Sequence, residues 1–328
     1  MNNSVPLLPP SWPITVYYIT SAITLPIYFL VFTCLFRLRC ISKTYNTTFY
    51  TLLLQHCIAD LLAMMMYFVI IAARAIPIIR EFYFNYQDYY IAAAAYNHIY
   101  YTLYIRCSGI VFLSFQRYQV ITHPHSPLTN KIQTLSKFKL ISIYWLVPTI
   151  ISLVVLKDIN FHYDNIVVMT VVAEKSVIQR NTLMALIVVG LTCALCSISY
   201  GALFLFIRKH SNRISKSLSR EIHLAVQVFI LLLAFFAILV YYSFQNYFSQ
   251  TQNTGPIYYM RGMYPMANGF LSYINPFCIL ILNRDLTKQV IRSVSCQRFA
   301  VSEVQLSGNV SVSTRQQRRH LAGNQVTF

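Results

Sequence analysis

Seven long apolar stretches, separated by short polar segments, constrain this chain more than any other feature of its sequence. A helix needs about 20 mostly apolar residues to cross a hydrocarbon core roughly 30 Å thick. The seven predicted spans are Ile14–Phe36, Thr47–Ala73, Tyr89–Ile121, Phe138–Leu156, Thr182–Ile207, Ile222–Phe248 and Ile257–Leu282. We therefore predict an all-α membrane protein whose residues 14–282 form one seven-helix bundle.

The composition supports an integral membrane protein. The 328 residues are 56% hydrophobic and only 11% charged, and the mean hydropathy is +0.52, which is too apolar for a soluble domain of this size. Residues 1–13 carry no basic side chain, and the apolar run after them is too long for the core of a cleaved leader. We expect residues 1–13 to be an extracellular N-terminal segment.

The distribution of Lys and Arg predicts the orientation of the bundle, because short cytoplasmic loops carry an excess of both. Basic residues concentrate after spans one, three and five: Arg37, Arg39, Lys43, Lys131, Lys137, Lys139, Arg208, Lys209, Arg213, Lys216 and Arg220. The N-terminus is therefore predicted outside and the C-terminus inside. The net charge of +17 is spread over these loops without a recognisable reader of bases, so it favours anionic membrane lipids and an acidic cytosolic partner over nucleic acid.

The segment after span seven is predicted to form a short eighth helix. Within residues 283–297, apolar side chains recur at helical spacing and basic residues lie on other faces, which is typical of an amphipathic helix on the inner membrane surface. Cys296 at its end is a candidate for palmitoylation, and an unmodified thiol is an equal alternative. Residues 298–328 are rich in Ser, Gln, Arg and Asn, and are predicted to be a disordered cytoplasmic tail.

The sequence Gln116-Arg117-Tyr118 lies at the inner end of span three. On its own, Arg117 is more simply interpreted as an arginine that snorkels to the membrane surface. The seven spans, the orientation, Tyr118, and the prolines Pro124 and Pro127 in the following loop favour another role. We predict that Arg117 faces a cytosolic partner when the bundle opens.

Two charged residues are predicted within the membrane, Asp60 in span two and Arg106 in span three. Arg106 precedes Arg117 by eleven residues, which returns it to within about 20° of the same helix face, roughly 16 Å deeper. Asp60 lies at a comparable depth, so the sequence predicts an ion pair between Asp60 and Arg106. The pair could act in switching or only in packing; breaking it would cost about 3–5 kcal/mol.

Span seven contains Asn275-Pro276, which predicts a hinge. A proline within a helix removes one backbone hydrogen bond and frees a carbonyl. Asn275 could satisfy that carbonyl or reach Asp60. A static kink at Pro276 is the alternative.

The outer half of the bundle is rich in tyrosine with a few amides, which suits a cavity for a small amphipathic molecule. The residues predicted to face inward and bind such a ligand are Asn97, Tyr101, Tyr104, Gln245 and Tyr264. Interfacial aromatic belts explain many of the other tyrosines equally well. We find no zinc-protease motif, phosphate-binding glycine loop or nucleophile elbow, and so we expect no enzyme activity, cofactor or metal.

These motifs together resemble the nematode serpentine chemoreceptors, in particular the gamma superfamily and its V class, within the rhodopsin-like G protein-coupled receptors. The resemblance covers nearly the whole chain up to about Ala300. It is carried by Lys43–Tyr50, Leu54–Asp60, Tyr96–Tyr101, Ser114–Tyr118, Trp145 with Pro148, Asn275-Pro276 and Asn283–Leu286.

The resemblance implies a chemosensory receptor in the plasma membrane, possessing a ligand site in the outer bundle. It also implies that the inner loops engage a heterotrimeric G protein, with Arg117 and Tyr118 at the contact, and that the receptor resides in sensory neurons, where the ciliary membrane is one location. The alternative is a ligand-gated channel or secondary transporter with a midplane Asp60/Arg106 site. The lack of internal repeats and of a second intramembrane acid argues against it.

The chain departs from the usual pattern of such receptors at several positions. Gln116 replaces the acid that normally precedes the arginine, and Ile279 replaces a tyrosine after Pro276. Arg106 stands where a small hydroxyl residue lines the usual sodium pocket, span six lacks its proline, and the predicted outer loops contain no cysteine. Any resting-state restraint on Arg117 must therefore come from elsewhere, and the bundle centre around Asp60 and Arg106 is the predicted place.

Overall fold

A computed structural model describes residues 12–42, 45–167, 169–209, 216–251 and 254–294. The candidate lipidation site Cys296 and the predicted tail, residues 298–328, lie outside the described residues. So does most of the predicted extracellular N-terminal segment.

Seven long helices correspond one by one to the predicted spans. They are α1 (Trp12–Ile41), α2 (Thr48–Ile70), α4 (Ala92–Thr122), α6 (Lys137–Leu156), α7 (Lys175–Lys209), α8 (Lys216–Gln250) and α9 (Thr254–Leu282); we call them spans one to seven. Span three packs against spans two, four, five and six, and span seven packs against spans one, two and six. The predicted all-α seven-helix bundle is confirmed.

Span three differs from the other six in composition. In the described part of the chain, the other six helices are long and apolar enough to cross a membrane, judged by length and composition alone. The tyrosines and two arginines of span three lower its mean hydropathy, and it still buries 20 of its 31 residues. Span four buries only four of its 20. Span three is polar because it is surrounded by protein rather than by lipid.

The outer connections contain structure that the apolar pattern does not predict. A 3-10 turn at Ala72–Ala75 ends span two before the predicted Ala73, and helix α3 (Pro77–Asn85) follows it. A π-helical turn at Gln87–Ile91, where Tyr90 has a φ of 67°, delays the start of span three to Ala92. Between spans four and five, strands β1 (His162–Tyr163) and β2 (Val171–Val172) form an antiparallel hairpin.

On the inner side, helix α5 (Pro127–Thr134) connects spans three and four. The Ser126 side chain accepts a hydrogen bond from the Thr129 backbone at 3.1 Å, and Ser136 caps span four in the same way through the Lys139 backbone at 3.4 Å. Serine is favoured at these positions because its oxygen satisfies an otherwise free backbone N–H.

Helix α10 (Arg284–Val294) lies within the predicted eighth helix, residues 283–297. Asn283 accepts a hydrogen bond from the Leu286 backbone at 3.2 Å, and the Tyr45 hydroxyl donates to the Asn283 side chain, also at 3.2 Å. The start of α10 is thereby attached to the loop between spans one and two. Its position on the membrane surface stays a prediction.

Candidate functional site

Asp60 is fully buried in the centre of the bundle and accepts hydrogen bonds from two neighbouring spans. The Tyr28 hydroxyl of span one donates to Asp60 Oδ2 at 2.7 Å, and Asn275 Nδ2 of span seven donates to the same oxygen at 3.0 Å. His56 Nε2 lies 4.0 Å away on the same helix. Asp60 Oδ1 has no hydrogen-bond partner in the described part of the chain. The carboxylate therefore connects spans one, two and seven.

Arg106 is 1% exposed and binds span seven rather than Asp60. Its Nη1 donates to Ser272 Oγ at 3.0 Å, its Nη2 donates to Asn268 Oδ1 at 2.5 Å, and its Nε donates to the Thr102 carbonyl at 3.3 Å. The predicted Asp60–Arg106 ion pair is wrong as a direct contact. Span seven supplies polar groups to both residues, so each contacts that helix instead of the other.

Asn275 resolves one of the alternatives for the predicted span-seven hinge. Its amide nitrogen donates to Asp60 and to the Tyr28 hydroxyl, at 3.0 Å and 2.9 Å. It therefore reaches the carboxylate of span two. Pro276 lies inside helix α9, which runs continuously from Thr254 to Leu282. Bending at Pro276 stays a prediction.

A cavity of about 530 Å³ opens at the inner end of the bundle. Arg117 is only 2% exposed on its wall, and its guanidinium carbon lies 3.4 Å from the ring centroid of Phe49. Gln116 also lines the cavity and is largely buried. Tyr118 does not line it; its ring makes an edge contact with His123, at 5.7 Å between centroids.

A second cavity, of about 350 Å³, lies at the outer end of the bundle. Two of the five predicted ligand residues, Gln245 and Tyr264, line it. The wall also includes residues that were not among the five predicted ligand residues: Tyr67, Arg74, Tyr96, Tyr100, Met169, Thr170, Val171, Tyr241, Tyr242 and Arg261. We call it the outer cavity, and the one beside Arg117 the inner cavity.

The other three predicted ligand residues lie elsewhere. Asn97 Nδ2 donates to the Asp158 carbonyl at 3.1 Å and to the Tyr90 hydroxyl at 3.2 Å. The Tyr101 hydroxyl faces span four, 3.5 Å from Thr149 Oγ1. Tyr104 is buried outside the lining of the outer cavity. The structure thus places Asn97 and Tyr101 against neighbouring elements of the fold rather than in the cavity.

The β-hairpin covers the outer cavity and is held by arginines at both sides. Arg74 Nη1 donates to the Met169 carbonyl at 3.0 Å, and its guanidinium lies 4.9 Å from the Tyr163 ring centroid. Arg261 Nη1 donates to the Val171 carbonyl at 3.5 Å. The Gln87 side chain accepts from the Tyr163 backbone at 2.6 Å.

The described cysteines are all free thiols. Cys193 and Cys196 have C-x-x-C spacing on span five, and the Ser114 hydroxyl donates to Cys196 Sγ at 3.3 Å. Within the described ranges, no group of three His, Cys, Asp or Glu side chains could hold a metal ion.

A bundle of seven helices with a cavity at each end places the chain among the seven-helix membrane proteins. The chain belongs to the family described as serpentine type 7TM GPCR chemoreceptor Srv, whose model matches residues 17–296. No curated protein matches the chain significantly. Membership confirms the resemblance to the nematode serpentine chemoreceptors. It also establishes a multi-pass membrane protein.

Proposed function

We propose that this chemoreceptor binds a small molecule in the outer cavity and activates a heterotrimeric G protein through the inner cavity. The observation that carries the proposal is the line of polar contacts between the two cavities, through span seven and span three. Family membership supports the receptor class, and the contacts suggest how the two ends communicate.

The outer cavity has the size and lining of a small-molecule site. Its volume of about 350 Å³ falls within the usual range for such sites, roughly 300–1,000 Å³. Tyrosine rings form much of its wall, and the β-hairpin closes one side. A ligand there would contact spans three, six and seven at once.

Span seven is the element that a ligand would move. Tyr264 and Pro265 of this span line the outer cavity, and Asn268 lies one turn further along the helix. Asn268 and Ser272 bind Arg106 of span three. A shift of Tyr264 would therefore act on the same helix that positions the centre of span three.

Asn275 carries the same movement to span two, because its amide binds Asp60. Span two also supplies Phe49, whose ring face contacts the Arg117 guanidinium at the inner cavity. In the resting state, Arg117 is held against this ring. In the active state, it turns toward the G protein, as a ligand-dependent population shift requires.

The test uses cells that express the receptor with a calcium or cAMP reporter, screened against a panel of small amphipathic odorants. Arg117→Ala should abolish every response that the parent receptor gives, at equal surface expression. Lys157→Ala is the control, since Lys157 is an exposed cation at the outer end of span four, away from the inner cavity. Unchanged responses in Arg117→Ala would contradict the proposal.

A further inference from the structure

We propose that the ligand of the outer cavity is an anion, with a carboxylate or similar group on an apolar body, bound through Arg74 and Arg261. This inference rests on the proposed function, because it takes the outer cavity as the ligand site. Two cationic side chains and a wall of tyrosines carry it.

The charged side chains in the described lining of the outer cavity are all positive. Among the described residues that line it, Arg74 and Arg261 are charged, and none is Asp or Glu. Outer-side acids nearby are engaged elsewhere. Asp158 pairs with Arg180 at a separate cavity, and Asp164 accepts hydrogen bonds from the backbone of its own loop. A ligand without negative charge would leave the Arg74 guanidinium with only neutral hydrogen-bond acceptors among the described residues.

One side-chain nitrogen of Arg74 has no hydrogen-bond acceptor among the described residues. Its Nε donates to the Ile70 carbonyl at 2.8 Å and its Nη1 to the Met169 carbonyl at 3.0 Å, both of which are neutral acceptors. Its Nη2 is buried and has no hydrogen-bond partner in the described part of the chain. A carboxylate would accept from such a nitrogen in a charge-assisted hydrogen bond, which is stronger than a neutral one.

The environment of Arg74 compensates its charge only with neutral groups. Burial lowers the pKa of Arg74, and the neighbours that oppose this shift are the tyrosines Tyr163, Tyr67 and Tyr83. An arginine still stays protonated at neutral pH. A buried cation is costly until an anion pairs with it, so an anionic ligand would relieve a cost that the empty receptor carries.

The remaining lining defines the rest of the ligand. The rings of Tyr96, Tyr100, Tyr241 and Tyr264 offer apolar faces. Gln245 Oε1 and the Tyr242 hydroxyl line the same cavity and are buried. Neither has a hydrogen-bond partner in the described ranges. Aromatic walls also suit cations, but two arginines would repel one here. The chemistry fits an amphipathic carboxylate with a second polar group.

The test measures binding without signalling. The full-length receptor is purified into phosphatidylcholine nanodiscs, and its thermal unfolding midpoint is titrated with ω-phenylalkanoates of increasing chain length. The matching primary amides and primary amines serve as neutral and cationic probes. We expect the carboxylates to raise the midpoint, and each amide or amine of the same length to bind at least about tenfold more weakly.

Variants of Arg74 and Arg261 test whether these side chains cause the preference for carboxylates. Arg74→Gln and Arg261→Gln keep a hydrogen-bond donor but remove the charge, and each should weaken carboxylate binding by about 10- to 100-fold. Arg180→Gln is the matched control, because Arg180 lies outside the outer cavity. Arg261→Glu should shift the preference from carboxylate toward amine. If the arginines only held the hairpin, the Gln variants would lower the midpoint of the empty receptor and leave the preference unchanged.

The outcomes separate this inference from the proposed function. No stabilisation by any carboxylate, or equal stabilisation by carboxylate and amide, would overturn the anionic ligand. Arg74- and Arg261-dependent carboxylate binding without any G protein response would sustain the anionic ligand and contradict the proposed function. Responses to neutral or cationic odorants that persist in Arg74→Gln and Arg261→Gln would support the proposed function and contradict the anionic ligand.

Discussion

Arg106 and Arg117 lie on the same face of span three, and both are buried, yet the structure holds them in different ways. Arg106 donates directional hydrogen bonds to Ser272 and Asn268 of span seven. Arg117 lies over the ring face of Phe49 at the inner cavity. A hydrogen bond weakens steeply when its angle changes, whereas a cation can slide over a ring face with less loss.

The difference suggests a division of roles along one helix. Arg106 joins spans three and seven, so it is suited to transmit a displacement. Arg117 has a contact that can be exchanged for one with a partner protein, so it is suited to switch. The bundle centre contains two separate polar clusters, one around Asp60 and one around Arg106, which share span seven. That they restrain the resting state stays a prediction.

Removing Arg106 should have the largest effect on stability. Arg106→Met deletes three hydrogen bonds and leaves Asn268 and Ser272 without their donor. Hydrogen bonds between membrane helices average about 0.6 kcal/mol each, and unpaired polar groups add to the loss, so we expect roughly 2–3 kcal/mol. The measurement is unfolding of the purified receptor in detergent, with Arg208→Met as control. A variant as stable as the parent would remove Arg106 from its connecting role.

Gly109→Ala tests the segment of span three between the two arginines. A Cβ at this position would collide with the Tyr144 hydroxyl and lie 2.5 Å from His56 Nδ1. Overpacking of this kind costs about 1–3 kcal/mol. Gly201→Ala is the matched control, since a Cβ there meets no atom within 4 Å, and alanine favours the helix by about 0.5–1 kcal/mol. Equal thermal midpoints for the two variants would contradict the packing.

Phe49→Leu should change the resting position of Arg117 and also lower the stability of the bundle, because Phe49 is buried. It removes the ring under the guanidinium, a contact that contributes about 0.5–2 kcal/mol. Basal G protein activation should rise about two- to tenfold. The control is Phe36→Leu, a lipid-exposed phenylalanine at the inner end of span one. Basal activity that is unchanged, or lower, would remove Phe49 as the restraint.

Gln116→Glu restores an acid beside Arg117 and should have the smallest effect. Adjacent residues of a helix project in different directions, so the new carboxylate would attract Arg117 only partly. We expect basal activation to fall about twofold, because the new ion pair contributes less than about 1 kcal/mol. Gln119→Glu, one turn further along the helix, is the control. A rise in basal activation would show that an acid at position 116 does not restrain Arg117.

Six of the seven spans could be predicted because their length and hydropathy are those of helices that cross a membrane. Span three was predictable too, although its polar residues lower its hydropathy, since the apolar run around them is long. The turns at Ala72–Ala75 and Gln87–Ile91 were not, because they depend on how the loops pack.

The partners of buried charges were harder to predict. Helical periodicity placed Arg106 and Arg117 on one face, and it gave the depth of Asp60. It could not give the rotation of span seven, which brings Asn268, Ser272 and Asn275 to both charges.

The ligand residues show the same limit. The tyrosine-rich pattern located the outer half of the bundle but could not rank Tyr264 above Tyr101, which faces span four. Arg74 and the hairpin residues Met169–Val171 come to the cavity through the packing of the outer loops. No periodic signal marks them.

The hairpin over the outer cavity is attached without any covalent link, and this has a kinetic consequence. Its anchors are hydrogen bonds such as Arg74 to Met169 and Arg261 to Val171, each worth about 1 kcal/mol in net terms. Loops held in this way open and close on fast timescales, nanoseconds to milliseconds. We therefore expect that the hairpin does not slow ligand exchange at the proposed site, which would let the receptor follow a stimulus that rises and fades.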